Sequence, residues 1–364
     1  VKHFTIFHVD AETGLRSGER QLVYLACALR ERGHQNVVVC RWGSDLSKFA
    51  AARKLDVRTL PFCCDWDPYT ALRLRLWARK AKNAVLHAHA RLPGAAGRFP
   101  LVLDCRTDSN LDIGRAARVV AVSKALRTTL IDAGIASEKV SVVSEGIPAD
   151  ADESRWACVK PHEFAPPSWE ARDSYRKKLA KEFNIDYKVP WIGTLGTAVT
   201  QKEQDIFIAA ALIAMMKRPD AIFLIAGAGT DDERLFTQIR RMGLLGRVLL
   251  VGRRDDEVAW LKCLDVFAPS SWVEGMGGIL LEAVACGVPI AATTAGGTPE
   301  IVTHRDNGLL SPPRDAEGLA QNITTLIEDQ KFARQLALKG IKGLPRFGLA
   351  RMAEEMEKIY EAVS

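Results

Sequence analysis

Apolar and polar positions alternate between two periods along this chain. Thr5-Ile-Phe-His-Val9 reads as a first strand. A loop with Gly14 and Gly18 follows, and then Leu22, Leu25, Ala26 and Leu29 recur at helical spacing over 19–32, stopped by Gly33. Short apolar runs at 37–40, 55–60, 84–87, 101–103, 119–122 and 140–143 predict further strands. Helical patterns at 69–82 and from the Ser123 cap to about Ala133 fall between them. The same alternation resumes after residue 168. It predicts strands at 189–193, 222–226, 248–251, 265–269 and 288–292, and helices at 168–183, 203–216, 231–242, 257–264, 316–329 and 331–340. A last amphipathic helix is expected over 349–362. Strands alternating with helices mean parallel, doubly wound sheets, so the expected class is α/β.

Between the two series the pattern breaks. Residues 144–168 are rich in proline and charge and are expected to be a hinge. A first domain is therefore placed at 1–165 and a second at 166–347, with a C-terminal helix at 348–364. A length of 364 residues suits two domains, each with its own core. No run of eighteen apolar residues occurs, so no spanning helix is expected. The eight cysteines show no metal-ligand spacing, and a reduced, cytoplasmic chain is expected.

Charge adds one feature. The net charge is +6, but residues 1–150 carry about +8 and the remainder about −2. A basic first half points to an anionic partner: a membrane surface touched peripherally, an acidic glycan or nucleic acid. Basic–aromatic interleaving and nucleic-acid motifs are absent, so nucleic acid is not expected. The run Leu72–Lys82 is basic, but its apolar and basic positions do not separate into two faces. It reads as a sheet-packed helix with an arginine-rich outer side.

The candidate chemistry concentrates in Ser270–Gly287. A short strand there ends at Pro269. The loop Glu274-Gly275-Met276-Gly277-Gly278 comes next, and Ile279 continues a buried helix closed by Gly287. A glycine loop lets backbone approach a ligand, and a helix N-terminus offers N–H groups and partial positive charge. That pairing suits a diphosphate. Glu274 lies in the loop and Glu282 inside the helix, with seven residues between them. Carboxylates accept from paired hydroxyls, so both arms of the ligand are read as sugars. An ordinary strand–turn–helix with two solvated glutamates is the bland alternative.

Glu274-x7-Glu282, Gly287-x-Pro289-Ile290 and Gly296-Gly297-Thr298-Pro299-Glu300-Ile301 together resemble the retaining GT-B glycosyltransferases of family 4. The resemblance implies two Rossmann-like domains facing a cleft. It also implies transfer from a UDP-, GDP- or ADP-linked sugar to a glycan or lipid-linked acceptor, as in lipopolysaccharide synthesis. The first glutamate would face the donor sugar, the second would hold the ribose, and the backbone from Gly275 to Ile279 would hold the diphosphate. Lys202, in Gln201-Lys202-x-x-Asp205, falls at the family's donor-site lysine. Thr197 stands where the family has an arginine, and Arg253 or Arg254 is a candidate replacement. Met276 replaces a usual aromatic residue. In the first domain, Gly18-Glu19 matches half of the family's glycine-rich loop. Asp108, with Arg106 beside it, matches the aspartate near the reacting centre, and His89 is placed on the acceptor side. The catalytic set is therefore Asp108, Lys202 and Glu274.

These cations imply that neither cofactor nor metal is required. Asp65-Trp-Asp67 precedes a helix and is not a metal motif in context. His87-Ala-His89 would share a strand face but lacks an evident third ligand. The alternatives are a GT-B-fold sugar-nucleotide epimerase and a non-catalytic sugar-nucleotide binder.

Overall fold

A computed structural model describes residues 2–63, 67–89, 98–106, 113, 115–148, 164–197, 202–230 and 232–364. The chain forms two compact units, Val1–Pro161 with Pro345–Ser364, and His162–Leu344.

The first unit is built on seven parallel strands: β1 (Thr5–Asp10), β2 (Gln35–Arg41), β3 (Asp56–Leu60), β4 (Ala84–Ala88), β5 (Leu101–Cys105), β6 (Arg118–Ala121) and β7 (Val140–Val142). Their order is β3-β2-β1-β4-β5-β6-β7, so the sheet reverses direction of growth between β1 and β4. In such sheets ligands sit beyond the carboxyl ends of the strands at that switch point. Helices α1 (Ser17–Glu31), α2 (Asp45–Ala52), α3 (Pro68–Lys80) and α4 (Lys124–Asp132) connect the strands. The Ser123 hydroxyl accepts from the Leu126 N–H and fixes the start of α4. Helix α2 carries no long apolar stripe and escaped the sequence reading; only Leu46 and Ala50 are buried. In α3, Thr70, Ala71, Leu74 and Ala78 are buried, and the Arg58 and Arg73 guanidinium groups lie 5.0 and 5.1 Å from the Trp77 ring.

The second unit begins with α5 (Trp169–Phe183) and continues through β8 (Trp191–Leu195), α6 (Gln204–Met215), β9 (Ile222–Ala226), α7 (Glu233–Arg241), β10 (Val248–Gly252), α8 (Glu257–Leu261), β11 (Val266–Phe267) and α9 (Gly278–Ala285). Then come β12 (Ala291–Thr293), α10 (Thr298–Ile301), β13 (Leu309–Ser311), α11 (Ala316–Glu328) and α12 (Gln330–Gly343). Four strands pair as β10-β9-β8-β11, and β12-β13 form a parallel pair. A parallel bridge from Phe267 to Ile290 joins the two sets. Ile192, Phe207, Phe223, Val266 and Leu319 belong to its core. Asp265 ties α5 to this sheet: it accepts from Arg172 at 2.7 Å, Arg176 at 2.9 Å and the Trp191 N–H at 2.8 Å.

The last helix, α13 (Leu349–Val363), belongs to the first unit. Glu357 accepts two hydrogen bonds from Arg32, at 2.7 and 2.6 Å, and lies 2.7 Å from His34 Nε2. Among the described residues no helix is long and apolar enough to cross a membrane. The expectation of a wholly reduced chain fails at Cys27, which is disulfide-bonded, whereas Cys40, Cys63, Cys105, Cys263 and Cys286 are free. Pairing depends on Cβ separation in the fold, which sequence spacing does not reveal.

Candidate active site

In the second unit, Lys202, Glu274, Gly277 and Ile279 of the predicted donor residues converge where β8 and β9 end and α9 begins. Gly196 and Gly227 let the two strand ends cross at backbone contact. At φ +130°, a Cβ on Gly227 would lie 2.0 Å from the Gly196 carbonyl oxygen. This close approach accounts for the first glycine of Gly227-Ala-Gly229. A pocket beside it is lined by Gly196, Lys202, Ser271, Glu274, Gly277 and Ile279, among others.

Lys202 Nζ lies 2.5 Å from Glu274 Oε2, and the Ser271 hydroxyl donates to the same oxygen at 3.1 Å. The Ser270 hydroxyl is within 3.0 and 2.9 Å of the Lys202 and Glu203 carbonyls, pinning the lysine segment to the glutamate loop. The Gly296–Gly297 turn braces the loop from below. Gly297 N–H is 3.3 Å from the Glu274 carbonyl and 3.1 Å from that of Gly275. A Cβ on Gly296, whose φ is +46°, would lie 1.7 Å from the Glu274 carbonyl oxygen. Gly296 is therefore a requirement of packing against the loop.

Gly277, at φ +89°, precedes α9, and no side chain caps that helix. The Leu280 N–H donates to the Gly277 carbonyl at 2.8 Å, which leaves the N–H groups of Gly278 and Ile279 for a ligand. Met276 is buried and turns its side chain into the protein, so the loop presents backbone there. Glu282 is 1% exposed and sits one turn into α9; it is not among the residues lining the pocket. Thr197 contributes its carbonyl to Gln204 at 3.2 Å. Arg253 and Arg254 do not line the pocket. Arg254 is held by Asp256 at 2.7 Å and Glu182 at 2.5 Å, and Arg253 lies 3.7 Å from Asp255. Lys202 is the only cation among the described residues lining the pocket.

In the first unit, Gly18, Glu19, His89 and Arg106 also come together. Arg106 is 2.9 Å from Asp104 and 3.1 Å from Glu145. A Cβ on Gly18 would lie 3.2 Å from the Arg106 guanidinium, so a glycine there lets α1 start against it. Glu19 is buried and accepts from the Arg16 N–H at 2.6 Å, closing the first turn of α1. His89 Nδ1 is 3.0 Å from Asp104. Burial opposes ionisation of Asp104, but Arg106 and His89 outweigh it and hold that carboxyl well below the usual range. Burial lowers the imidazole of His89 to about 4 and that of His8 to about 3. Asp108 lies outside the described residues, as does Asp65.

Sequence reasoning missed Asp104, Glu145 and Asp10. Asp10 ends β1 beside the α1 loop, and burial, with Glu19 and Glu12 nearby, raises its carboxyl to about 7. The clue available in the sequence was an acid closing the carboxyl end of the first strand.

Two parallel α/β units, one carrying a glycine loop and an open helix start with a lysine–carboxylate pair, define a GT-B architecture. The comparisons agree. Residues 187–329 match the family "Glycosyl transferases group 1" and residues 18–151 match "Glycosyltransferase Family 4". The chain therefore belongs to the GT-B glycosyltransferases.

Among its relatives, a lipopolysaccharide core biosynthesis mannosyltransferase, LpsB of Rhizobium meliloti strain 1021, is 29% identical over 200 residues, covering 52% of this chain and 56% of its own length. The glycosyltransferase LpsE of the same strain is 25% identical over 346 residues, covering 92% of each. The Bacillus anthracis N-acetyl-alpha-D-glucosaminyl L-malate synthase is 26% identical, covering 81% of this chain and 79% of its own. The chain thus spans little more than half of the first relative and most of the other two. The crystal structure of Anabaena Alr3699/HepE in complex with UDP and glucose superposes with a TM-score of 0.82 at 22% identity, covering 99% of this chain and 100% of that one. WaaG, a glycosyltransferase involved in lipopolysaccharide biosynthesis, gives 0.71 at 16% identity, covering 99% of both.

Proposed function

We propose that this chain is a retaining glycosyltransferase that moves a sugar from a nucleotide-diphosphate sugar to a glycan or lipid-linked acceptor of a cell-surface polysaccharide. The observation that carries the reading is the Lys202–Glu274 pair at the start of uncapped α9. Breaking the bond to a diphosphate puts negative charge on the leaving phosphate. Positioned donors at such a charge are worth about 3–4 kcal/mol each. Lys202 and the Gly278 and Ile279 N–H groups of α9 are the donors here, and Glu274 is assigned to the donor sugar. Glu282 is assigned to the ribose, which requires its buried carboxyl to be reached from the α9 face. The acceptor hydroxyl attacks from the face the diphosphate leaves, and the donor phosphate takes its proton, so configuration is retained. Acceptor handling is assigned to the first unit, with Asp108 and Arg106 as its polar groups and the basic excess of residues 1–150 as its attraction for an anionic acceptor or membrane surface. The relatives named for lipopolysaccharide core synthesis support the substrate class.

The test is nucleotide release from UDP-, GDP- and ADP-sugars with a lipopolysaccharide-core acceptor. The expected result is turnover with one donor class, product anomeric configuration matching the donor, activity surviving EDTA, and loss of transfer in Glu274→Ala with folding intact. A Glu274→Ala protein that turns over normally would remove the reading. One observation favours a second reading, a sugar-nucleotide binder without transfer: Lys202 is the lone cation among the described residues lining the pocket and is already paired. That protein would bind a nucleotide sugar yet release no nucleotide with any acceptor.

A further inference from the structure

Three histidines of the first unit are arranged around a common point that the proposed transfer does not use. His8 on β1 and His87 on β4 are register partners on adjacent parallel strands, so both side chains leave the same face of the sheet. His89 follows two residues later on that face. All three are buried, and one ring nitrogen from each lies within 4.8 Å of the others.

The outer partners of these rings fix where the hydrogens are. Asn36 Nδ2 donates to the His34 carbonyl at 3.1 Å, which turns Asn36 Oδ1, an acceptor, to His8 Nε2 at 3.0 Å. His8 Nε2 must therefore carry a hydrogen. Asp104 faces His89 Nδ1 at 3.0 Å, so that nitrogen carries a hydrogen too. A neutral imidazole has only one N–H. What remains is His8 Nδ1 and His89 Nε2, two lone pairs facing each other at 3.1 Å. The third ring, His87, has its Nδ1 2.9 Å from the Tyr360 hydroxyl, while its Nε2 is fully buried and has no hydrogen-bond partner among the described residues. Its ring centroid is 4.0 Å from that of His89. Converging lone pairs repel unless a cation lies among them.

We propose that His8 Nδ1, His87 Nε2 and His89 Nε2 bind a borderline transition-metal ion of the zinc class. Metal–nitrogen bonds of about 2.0–2.1 Å at tetrahedral angles put ligand nitrogens about 3.3 Å apart, so the His8–His89 pair at 3.1 Å needs only slight opening, and the His87 nitrogen, within 4.8 Å of both, draws in on binding. Three neutral imidazoles, with no carboxylate among the described residues in their ligand group, select zinc, cobalt or nickel over magnesium and calcium. Each ring is oriented from behind by a polar group, and Asp104–His89 is the carboxylate–histidine pairing that supports metal ligands. The three ligands come from two neighbouring strands, and Tyr360 brings in α13. The ion therefore ties the sheet to the C-terminal helix, and a water completes its coordination. The role is structural and independent of the donor site.

The test uses the full chain without a histidine tag, stripped with a chelator and dialysed, and the metal alone as probe. Addition of Co2+ should give the visible spectrum of a tetrahedral nitrogen-ligated ion at one per chain, and Zn2+ should abolish it. Zn2+ should also raise the thermal midpoint of the stripped protein. His87→Gln should weaken binding more than about 100-fold and Tyr360→Phe about tenfold, the latter acting on a ligand's support. Should His87→Gln fail to fold by circular dichroism, Tyr360→Phe decides. Absence of binding at 100 micromolar metal, or affinity unchanged in the variant that folds, overturns the proposal. So does a proton shared between His8 and His89, seen by NMR of the imidazole nitrogens, that persists at saturating Zn2+.

Discussion

Glu274→Gln should have opposite effects on nucleotide binding and on transfer. In the structure, the Lys202 ammonium is neutralised by Glu274 at 2.5 Å, with side-chain exposures of 25% and 18%. A diphosphate that needs this ammonium must draw it away from the carboxylate and also bring its own negative charge near Glu274. Two unit charges in contact attract by about 4 kcal/mol at an effective dielectric of about 20. Partial exposure and solvent competition leave about 1–2 kcal/mol of that as net pairing. Removing the carboxylate charge while keeping its shape frees the lysine, so a nucleoside diphosphate should bind about tenfold tighter. Binding of the bare nucleoside should not change. Transfer should fall by about two orders of magnitude or more, because the glutamate assigned to the donor sugar is gone. Calorimetry with UDP, GDP and ADP at fixed ionic strength measures the first effect, and nucleotide release measures the second. Equal or weaker diphosphate binding in Glu274→Gln would refute the claim that Glu274 and the diphosphate compete for Lys202.

Other perturbations test the scaffold and the first unit. Lys202→Ala should weaken nucleoside diphosphates far more than nucleosides, and equal losses by calorimetry would take the lysine off the phosphates. Gly296→Ala should destabilise the second unit by about 3–5 kcal/mol in urea unfolding, because its Cβ meets the Glu274 carbonyl oxygen at 1.7 Å and backbone cannot swing aside; a well-folded, active variant would contradict that packing. Asp10 has its folded pKa raised from about 3.8 to about 7, so the stability it contributes is whole below about pH 4 and is lost as pH rises to about 7. Asp10→Asn should therefore remove up to about 4 kcal/mol of that decline and be the more stable protein at pH 8; parallel pH profiles for the two proteins would count against it. Glu357→Ala leaves His34 and Arg32 without their acceptor and should cost about 2–3 kcal/mol, read as earlier thermal unfolding and faster proteolysis of the C-terminal helix.

The sequence by itself determined the class of fold. Apolar runs of strand length alternating with helical stripes leave few solutions other than parallel sheets covered by helices, because a strand buried on both faces must be apolar throughout. The run Ile222–Ala226 was legible to the residue for that reason. Elements without such a stripe were not: α2 buries two side chains, and β13 spans three residues recognisable only once paired with β12. At the pocket of the second unit, the glycine loop was legible because backbone approach and helix starts leave local signatures, and Lys202 was placed there by the family resemblance. Tertiary structure alone decided the rest. It set Glu274 against Lys202 from 72 residues away, made Gly296 the brace of that loop, and turned Arg254 to Glu182 and Asp256. It also brought His8 beside a His-x-His pair 79 residues further on, because β1 and β4 are neighbours at the switch point of the sheet. Sequence spacing carries local backbone preference. Which side chains share a buried face depends on strand order and register, and those are fixed only when the whole sheet assembles.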